Sequence, residues 1–555
     1  MTDILKERQQ LITRLGMLKT ERTSWMSHWQ ELSEVYLPRS GRYFVQDRNR
    51  GQKRHQAILD GTTTKAARVL AAGMMAGMNS PARPWFRLTT PDEDLNKSPA
   101  VKEWLAQVTR LMLAIFGKSN TYRSLHSGYE ELGVFGTWSS ILMDDFKNVI
   151  HSYPLTIGEF MLAQNWKGEV DTLYREFQKT VRELVAEFGY ASCSSTVQGL
   201  YDTGRLDAWV TVVHCIEPRS DRDHTKRDAK NMAWRSVYFE LSGQSDKFLR
   251  ESGFKEFPAL AARWGAVGGD IYGNSPGMDA LGDARQLQHE QLRKAQGIDK
   301  LTNPPLQAPT SLKNRDVEIL PGGITFVDQL NGGIKSLYDV RIDLSHLLED
   351  IQDVRQRIRD AFFSDLFLML ANSTNTTMTA TEVAERHEEK LLILGPTTER
   401  MHSEIHSPLV EHTFARIVES GICPPPPPEM QGMDLNVEFV SMLAQAQRAV
   451  GTKSIDVFVG NLGAVAQFKP GVLDKFNADE WADRYSDMLG IDPELIVSAD
   501  GVALIRQQRA QAQQQAQQAA LMNQNADTAA KLGGIDTGGK NAATDIMGMF
   551  SGYSA

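Results

Sequence analysis

The sequence predicts an α+β protein, predominantly helical, in which two long helices flank a small β insertion and follow a mixed N-terminal half. Three observations carry this. Leu344, Leu347, Leu348, Ile351, Val354, Ile358, Phe362 and Leu366 recur at three- and four-residue spacing, the apolar face of a helix of roughly seven or eight turns. Residues 279–300 form an earlier proline-free helical pattern, and between the two lie turn signals at Asn303-Pro304-Pro305, Pro321-Gly322-Gly323 and Asn331-Gly332-Gly333, framing apolar runs at 317–320 and 324–327. In the N-terminal half, β-branched residues dominate 209–217 and 235–241 on either side of a polar loop, which reads as a strand pair.

The remaining elements follow in order. Ile4, Leu5, Arg8, Leu11, Ile12, Leu15 and Leu18 open the chain with an amphipathic helix. Pro38, Gly41, Pro81, Pro84 and Pro91 isolate 56–78 as the next helix, and 101–116 reads as another, ended by Gly117. From residue 279 onward the pattern is helical apart from the β insertion. After the second long helix comes the polar run 372–377. Thr379 with Glu382 then forms a capping box that starts a helix reaching about Gly421, with kinks expected at Gly395-Pro396 and Ser407-Pro408. Residues 424–428 are all proline and end it. Short helical patterns occupy 433–509, and the glutamine- and alanine-rich tract and remainder from 511 to 555 read as a mobile low-complexity tail.

Bulk properties narrow the function. The 555 residues exceed what a single hydrophobic core supports. Cys193, Cys215 and Cys423 are too few and too scattered for a disulfide framework or a cysteine zinc site, which fits a reducing compartment. Asp3, Lys6, Glu7, Arg8 and Arg14 interrupt any signal-peptide core, and the longest apolar run, 69–78, is about half of the ~20 residues a membrane span needs, so no membrane insertion is expected. The net charge of −9, with pI near 5.8, excludes a protein that grips DNA tightly through its phosphates.

Catalytic signals are weak. Residues 534–541 nearly match a phosphate-binding loop, but Asn541 lacks the hydroxyl that binds magnesium and no apolar strand precedes it. His402 and His406, with His412 nearby, have the spacing of two zinc ligands, yet Ser403 stands where the catalytic glutamate belongs and Glu404 points around the helix. A surface or interface helix is the preferred reading, with no metal site. Gly265, Gly268, Gly269 and Gly273 make a turn rather than a dinucleotide loop, and no nucleophile elbow is present. Neither enzyme activity nor a cofactor is expected.

Five segments go further: MNSPARPWFRL (78–88), GEVDTLYREFQKTVRELVAEFG (168–189), YGNSPGMDALGDARQL (272–287), TNPPLQAP (302–309) and MTATEVAERHEEKLLILGP (378–396). In order, and across most of the chain, they resemble the head-to-tail connector (portal) family of short-tailed phages. The resemblance implies a portal fold of wing, stem, clip and crown, assembled as a ring of twelve around an axial channel at one capsid vertex of the virion, after assembly in the host cytoplasm. It maps 1–278 to the wing, 279–300 and 342–371 to two stem helices, 301–341 to the clip and 372–378 to a tunnel loop. Residues 379–428 become a long kinked wing helix and 429–510 the crown. Implied partners are further copies of the chain, double-stranded DNA passing non-specifically, the terminase large subunit, tail adaptor and head completion proteins, and the major capsid and scaffolding proteins.

On that mapping Asn372, Ser373, Thr374, Asn375, Thr376, Thr377 and Met378 face the duplex, their short neutral side chains exchanging hydrogen bonds without electrostatic capture. Lys313 and Arg315 in the clip meet a motor or tail protein, or DNA at the channel exit. Arg355, Arg357 and Arg359 alternate around their helix and make no single DNA-facing stripe, so intersubunit pairing with Asp350, Asp353 or Asp360 is expected. Two other classes remain open: a minor capsid or scaffolding protein, and a metal hydrolase using His402 and His406.

Overall fold

The computed structural model describes residues 3–45, 56, 58–92, 95–226, 228–242, 247–302, 306–307, 335–336, 345–372, 393–430, 435–441, 443, 458–489, 497 and 499–533. They fall into two compact units, Met1–Val459 and Gly460–Ala555.

In the first unit, helix α1 (Asp3–Val35) serves two cores. Leu11, Leu15 and Leu18 cover one face of a sheet, while Trp29 and Leu32, two turns and more further on, enter the main core. Helix α2 (Thr62–Met78) is the glycine- and alanine-rich run. It is buried, and starts six residues later than the pattern 56–78 indicated. Its lack of bulk lets other helices approach: a Cβ at Gly73 would overlap the Phe367 side chain. Strand β1 (Phe86–Thr89) precedes α3 (Pro99–Lys118) and α4 (Thr121–Phe135). Gly117 does not stop α3, because its open surroundings place no demand on the backbone there, and the helix ends at Ser119.

Strands β2 (Thr137–Asp145), β3 (Val149–Leu155) and β9 (Ala259–Arg263) make a three-stranded antiparallel sheet in the order β3-β2-β9. A five-stranded antiparallel sheet runs β4 (Phe160–Gln164), β5 (Val170–Thr180), β6 (Trp209–Pro218), β7 (Trp234–Glu240) and β8 (Arg250–Phe254) in sequence order. The expected strand pair is β6 with β7, Val212 opposite Glu240 through Pro218 opposite Trp234. Between β5 and β6 the chain forms α5 (Val181–Phe188) and α6 (Ser195–Asp202); Thr180 and Glu183 close a capping box at the start of α5.

After the four-residue helix α7 (Pro276–Asp279) come α8 (Leu281–Thr302), β10 (Leu306–Gln307), β11 (Lys335–Ser336), α9 (Ser345–Ala361) and α10 (Ser364–Asn372). Pairing of β10 with β11 closes the base of the insertion. The second long helix is not continuous as its apolar pattern predicted. It breaks at Phe362 and Phe363, where Phe363 takes a left-handed φ of 51°. Phe362 is buried against Tyr36, ring centroids 5.5 Å apart, and Phe367 sits over Gly73, so packing onto the core turns the chain where periodicity would carry it straight on.

The helix from residue 393 passes through Pro396 unbroken and widens into a π turn at His402–His406 before α11 (Ser407–Glu419). Pro408 has no N–H to donate, and the turn ends with the Ser407 N–H bonded to the His402 carbonyl. A second β element departs from the helical pattern after residue 279: β12 (Asn436–Phe439) pairs antiparallel with β1, Phe86 opposite Phe439.

In the second unit, α12 (Ala478–Leu489) is tied to α13 (Ala499–Gly533) by a bidentate Arg506–Asp479 pair, both contacts 2.7 Å. Residues 511–533, part of the tract read as a mobile low-complexity tail, are helix. Alanine and glutamine are good helix formers even where no core demands one.

Candidate functional site: a helix pair rooted in the core

Helices α8 and α9 run antiparallel. Asp283, in the first turn of α8, pairs with Arg357 near the end of α9 at 3.1 Å, and Glu290 of α8 faces Asp350 of α9. Their roots are buried through Leu281, Ala284, Leu287 and Glu290 on one side and Ile351, Val354 and Ile358 on the other. Beyond the roots the pair is bare: Leu292, Ile298 and Leu301 of α8 and Leu348 of α9 are each about two-fifths exposed.

Asp60, just ahead of α2, is the hub of the root. Its carboxylate accepts from Arg355 Nη2 at 2.7 Å and Nε at 3.0 Å, from Gln291 Nε2 at 3.0 Å, and from the Thr62 hydroxyl and N–H at 2.6 and 2.9 Å. Gln288 of α8 accepts from the Leu59 and Asp60 amides and returns a bond to the Asp60 carbonyl. Burial by itself would push the Asp60 carboxyl up, but the bonds from Thr62 and Arg355 outweigh it and hold the group below its ordinary range. Arg285 adds an exposed pair to Glu31 of α1 at 2.6 Å. Glu290 is mostly buried, with Gln286 Nε2 on one oxygen; burial first, then Asp350, raises its carboxyl. One cluster therefore fixes α1, α2, α8 and α9 together.

The model of the bacteriophage head to tail connecting protein family matches residues 8–497. The chain belongs to that family. A protein named "Probable portal protein" from Bordetella phage BPP-1 is 66% identical over 550 residues, covering 99% of each chain, and the "Portal protein" of Salmonella phage epsilon15 is 47% identical over 544 residues, covering 97% of this chain and 98% of its own.

The residues singled out from the sequence of this connector-family chain divide into three groups. Asn372 is the last residue of α10, whereas Ser373, Thr374, Asn375, Thr376, Thr377 and Met378 lie outside the described residues, as do Lys313 and Arg315. Of the arginines expected to pair between subunits, Arg355 and Arg357 have partners within the single chain. Arg355 binds Asp60, and Arg357 binds Asp283 and, at 3.2 Å within α9, Asp353; both find partners in their own chain because the root of α9 is packed against α8. Asp350 faces Glu290, Asp360 accepts from Gln356 Nε2 at 3.3 Å, and Arg359 is exposed.

The histidines do not sit on a surface helix. His406 is fully buried and its Nε2 lies 2.9 Å from the Tyr129 hydroxyl, which itself donates to Asn79 Oδ1. His402 stacks on Phe439 at 4.0 Å, and His412 is buried on α11. Burial pushes the imidazoles of His406 and His412 down, the latter to about 4, so both are neutral. Among the described residues no group of three His, Cys, Asp or Glu is placed to hold a metal, and no helix is long and apolar enough to cross a membrane.

Sequence reasoning missed Asp60 and the pair Arg263–Glu404. Asp60-Gly61-Thr62 ahead of an apolar run is a helix-start signal that could have flagged the first. Nothing local marks the second, whose members are 141 residues apart.

Proposed function

We propose that this chain is a portal subunit: copies form a ring at one capsid vertex of the virion, and double-stranded DNA moves through the axial channel during packaging, retention and ejection. The insertion between α8 and α9 is then the clip, which docks the packaging terminase and afterwards the tail adaptor proteins, and α8 with α9 is the stem.

The observation that carries this reading is the contrast along the helix pair. Its root is fixed by a buried hydrogen-bonded hub, while its outer half displays Leu292, Ile298, Leu301 and Leu348 to water. Two helices cannot bury apolar residues on every side against each other, and apolar residues exposed around the outer half of the pair suit contact with another chain. Neighbouring copies in a ring would cover them. Arg359, exposed on α9, can pair between subunits in that arrangement. The net charge of −9 per subunit multiplies around the ring and disfavours tight capture of the passing duplex.

Native mass spectrometry and electron microscopy of the purified protein test the proposal. A discrete species near twelve copies, seen as a ring whose opening admits a duplex, is expected. Monomers only, or a closed particle with no axial opening, overturn it.

A further inference from the structure

Phe160, Arg175, His214, Tyr238 and Arg250 stand opposite one another across β4, β5, β6, β7 and β8, so their side chains share one face of the five-stranded sheet. This row separates the main core from the smaller cluster that α5 and α6 form around Val210 and Val212. The last four residues make a continuous stack. Arg250 lies 4.7 Å from the Tyr238 ring centroid, Tyr238 stacks on His214 at 3.8 Å, and Arg175 Nε donates to His214 Nδ1 at 3.2 Å. Because Nδ1 accepts, the proton of the neutral imidazole sits on Nε2, 2.9 Å from the Ser236 hydroxyl. Burial first, with Arg175 and Arg250 beside it, holds His214 well below its ordinary range and therefore neutral.

Two guanidinium groups thus flank a neutral ring pair, and neither has a carboxylate within 4 Å among the described residues. Arg175 is only 5% exposed and lies against the Tyr153 and Phe177 rings at 4.8 and 4.6 Å; Arg250 is exposed and also lies 5.3 Å from Phe188. Two acids of α5 are engaged elsewhere: Glu187 with Lys179, and Glu183 with the amide of Thr180 in its cap. Ring contacts return less than desolvating an unpaired guanidinium costs. The Arg175 guanidinium spends its Nε on His214, and Arg250, the exposed member of the pair, presents its fork to solvent. A planar fork of this kind matches a two-oxygen anion.

We propose that the row from Arg175 to Arg250 is a docking site for a side-chain carboxylate on an acidic segment of a second protein chain. Charge complementarity favours that occupant over nucleic acid. One carboxylate needs only the local cations, whereas a duplex brings many phosphates against a chain of net charge −9. The half-exposed ring of Tyr153, with Phe177 and Phe188, suits the apolar neighbours of an acidic residue in a peptide. The site stands apart from α8 and α9, and its test rests on the proposed assembly of the chain into a particle.

The test uses assembled particles carrying Arg250→Lys, which keeps the charge and places a primary amine in the site, treated with a zero-length carbodiimide that joins amines to carboxylates in contact. Mass spectrometry is expected to find position 250 joined to an aspartate or glutamate of another chain. Intrachain products alone, or no product, overturn the proposal, as does formaldehyde joining the same amine to nucleic acid. In unsubstituted protein, amide exchange of residues 250–254 is expected to slow at least tenfold between free chain and particle, and to slow less than threefold in Arg250→Gln; equal slowing in both removes the role of the arginine.

Discussion

Glu404→Gln probes a buried ion pair that joins the π turn to strands of both large sheets. Glu404 Oε1 accepts from Arg263 Nη2 at 2.7 Å and Nε at 3.1 Å, and Oε2 accepts from the Arg263 amide at 2.7 Å. The same guanidinium reaches the Gly168 carbonyl at 2.9 Å and Gln164 Oε1 at 3.2 Å, so β4, the turn that follows it, β9 and the π turn meet at one side chain. A glutamine offers a single acceptor oxygen. Whichever way its amide turns, an N–H faces either the guanidinium or the Arg263 amide, and the charge that balanced a nearly buried arginine is gone. Breaking one side of a buried pair costs about 3–5 kcal/mol; Arg400, at 3.6 Å from Glu404, loses a weaker contact as well. With about 3 kcal/mol as the working value, local opening of β9 becomes roughly a hundredfold more frequent, since 1.36 kcal/mol is a factor of ten. Hydrogen exchange of the amides of Leu260, Ala261 and Ala262 reads that opening, and Arg263→Met combined with Glu404→Leu should restore most of the protection. Exchange within threefold of the unsubstituted protein in Glu404→Gln would refute the reasoning.

Three further outcomes are expected. Asp60→Asn removes the charge that two guanidinium nitrogens share, so exchange at the roots of α8 and α9 rises by roughly tenfold, for a loss of about 1–2 kcal/mol, while the sheets are unaffected; uniform change across the first unit contradicts the hub. Glu131 is buried, accepts from the Thr156 hydroxyl at 2.6 Å and the Ile157 amide at 3.0 Å, and has its carboxyl pushed up to about 8, chiefly by burial. Between its ordinary value of 4.5 and about 8 the unfolded chain ionises while the folded chain keeps the proton, so stability falls as pH rises through that window, by about 5 kcal/mol. Glu131→Gln should flatten this slope in thermal melts at pH 5 and pH 8, and parallel curves for both proteins would count against it. Gly73→Ala forces a methyl into Phe367 and should cost about 1–3 kcal/mol, as overpacking does, with protease cleavage near α10 as the readout; unchanged cleavage would mean the two helices separate freely.

The helices α8 and α9, and the β6–β7 pair, were legible in the sequence because both rest on short-range periodicity: the chain's own spacing states which face is apolar. The family was legible too, since five ordered segments carried it. The same periodicity misled wherever another part of the chain intervened. The apolar series that ends at Leu366 reads as one helix, yet Tyr36 and Gly73 draw Phe362 and Phe367 onto the core and turn it. His402 and His406 carry the spacing of ligands or of a polar face, and only the arrival of β12 beside β1 encloses them in aromatic rings. Arg355, Arg357 and Arg359 differ by two residues each and look equivalent in sequence. The fold gives one to Asp60, 295 residues away, one to Asp283, and leaves the third in solvent. Local spacing fixes the direction in which a side chain points; what it meets there depends on which distant segment the tertiary packing brings up, and a partner hundreds of residues away leaves no mark on local spacing.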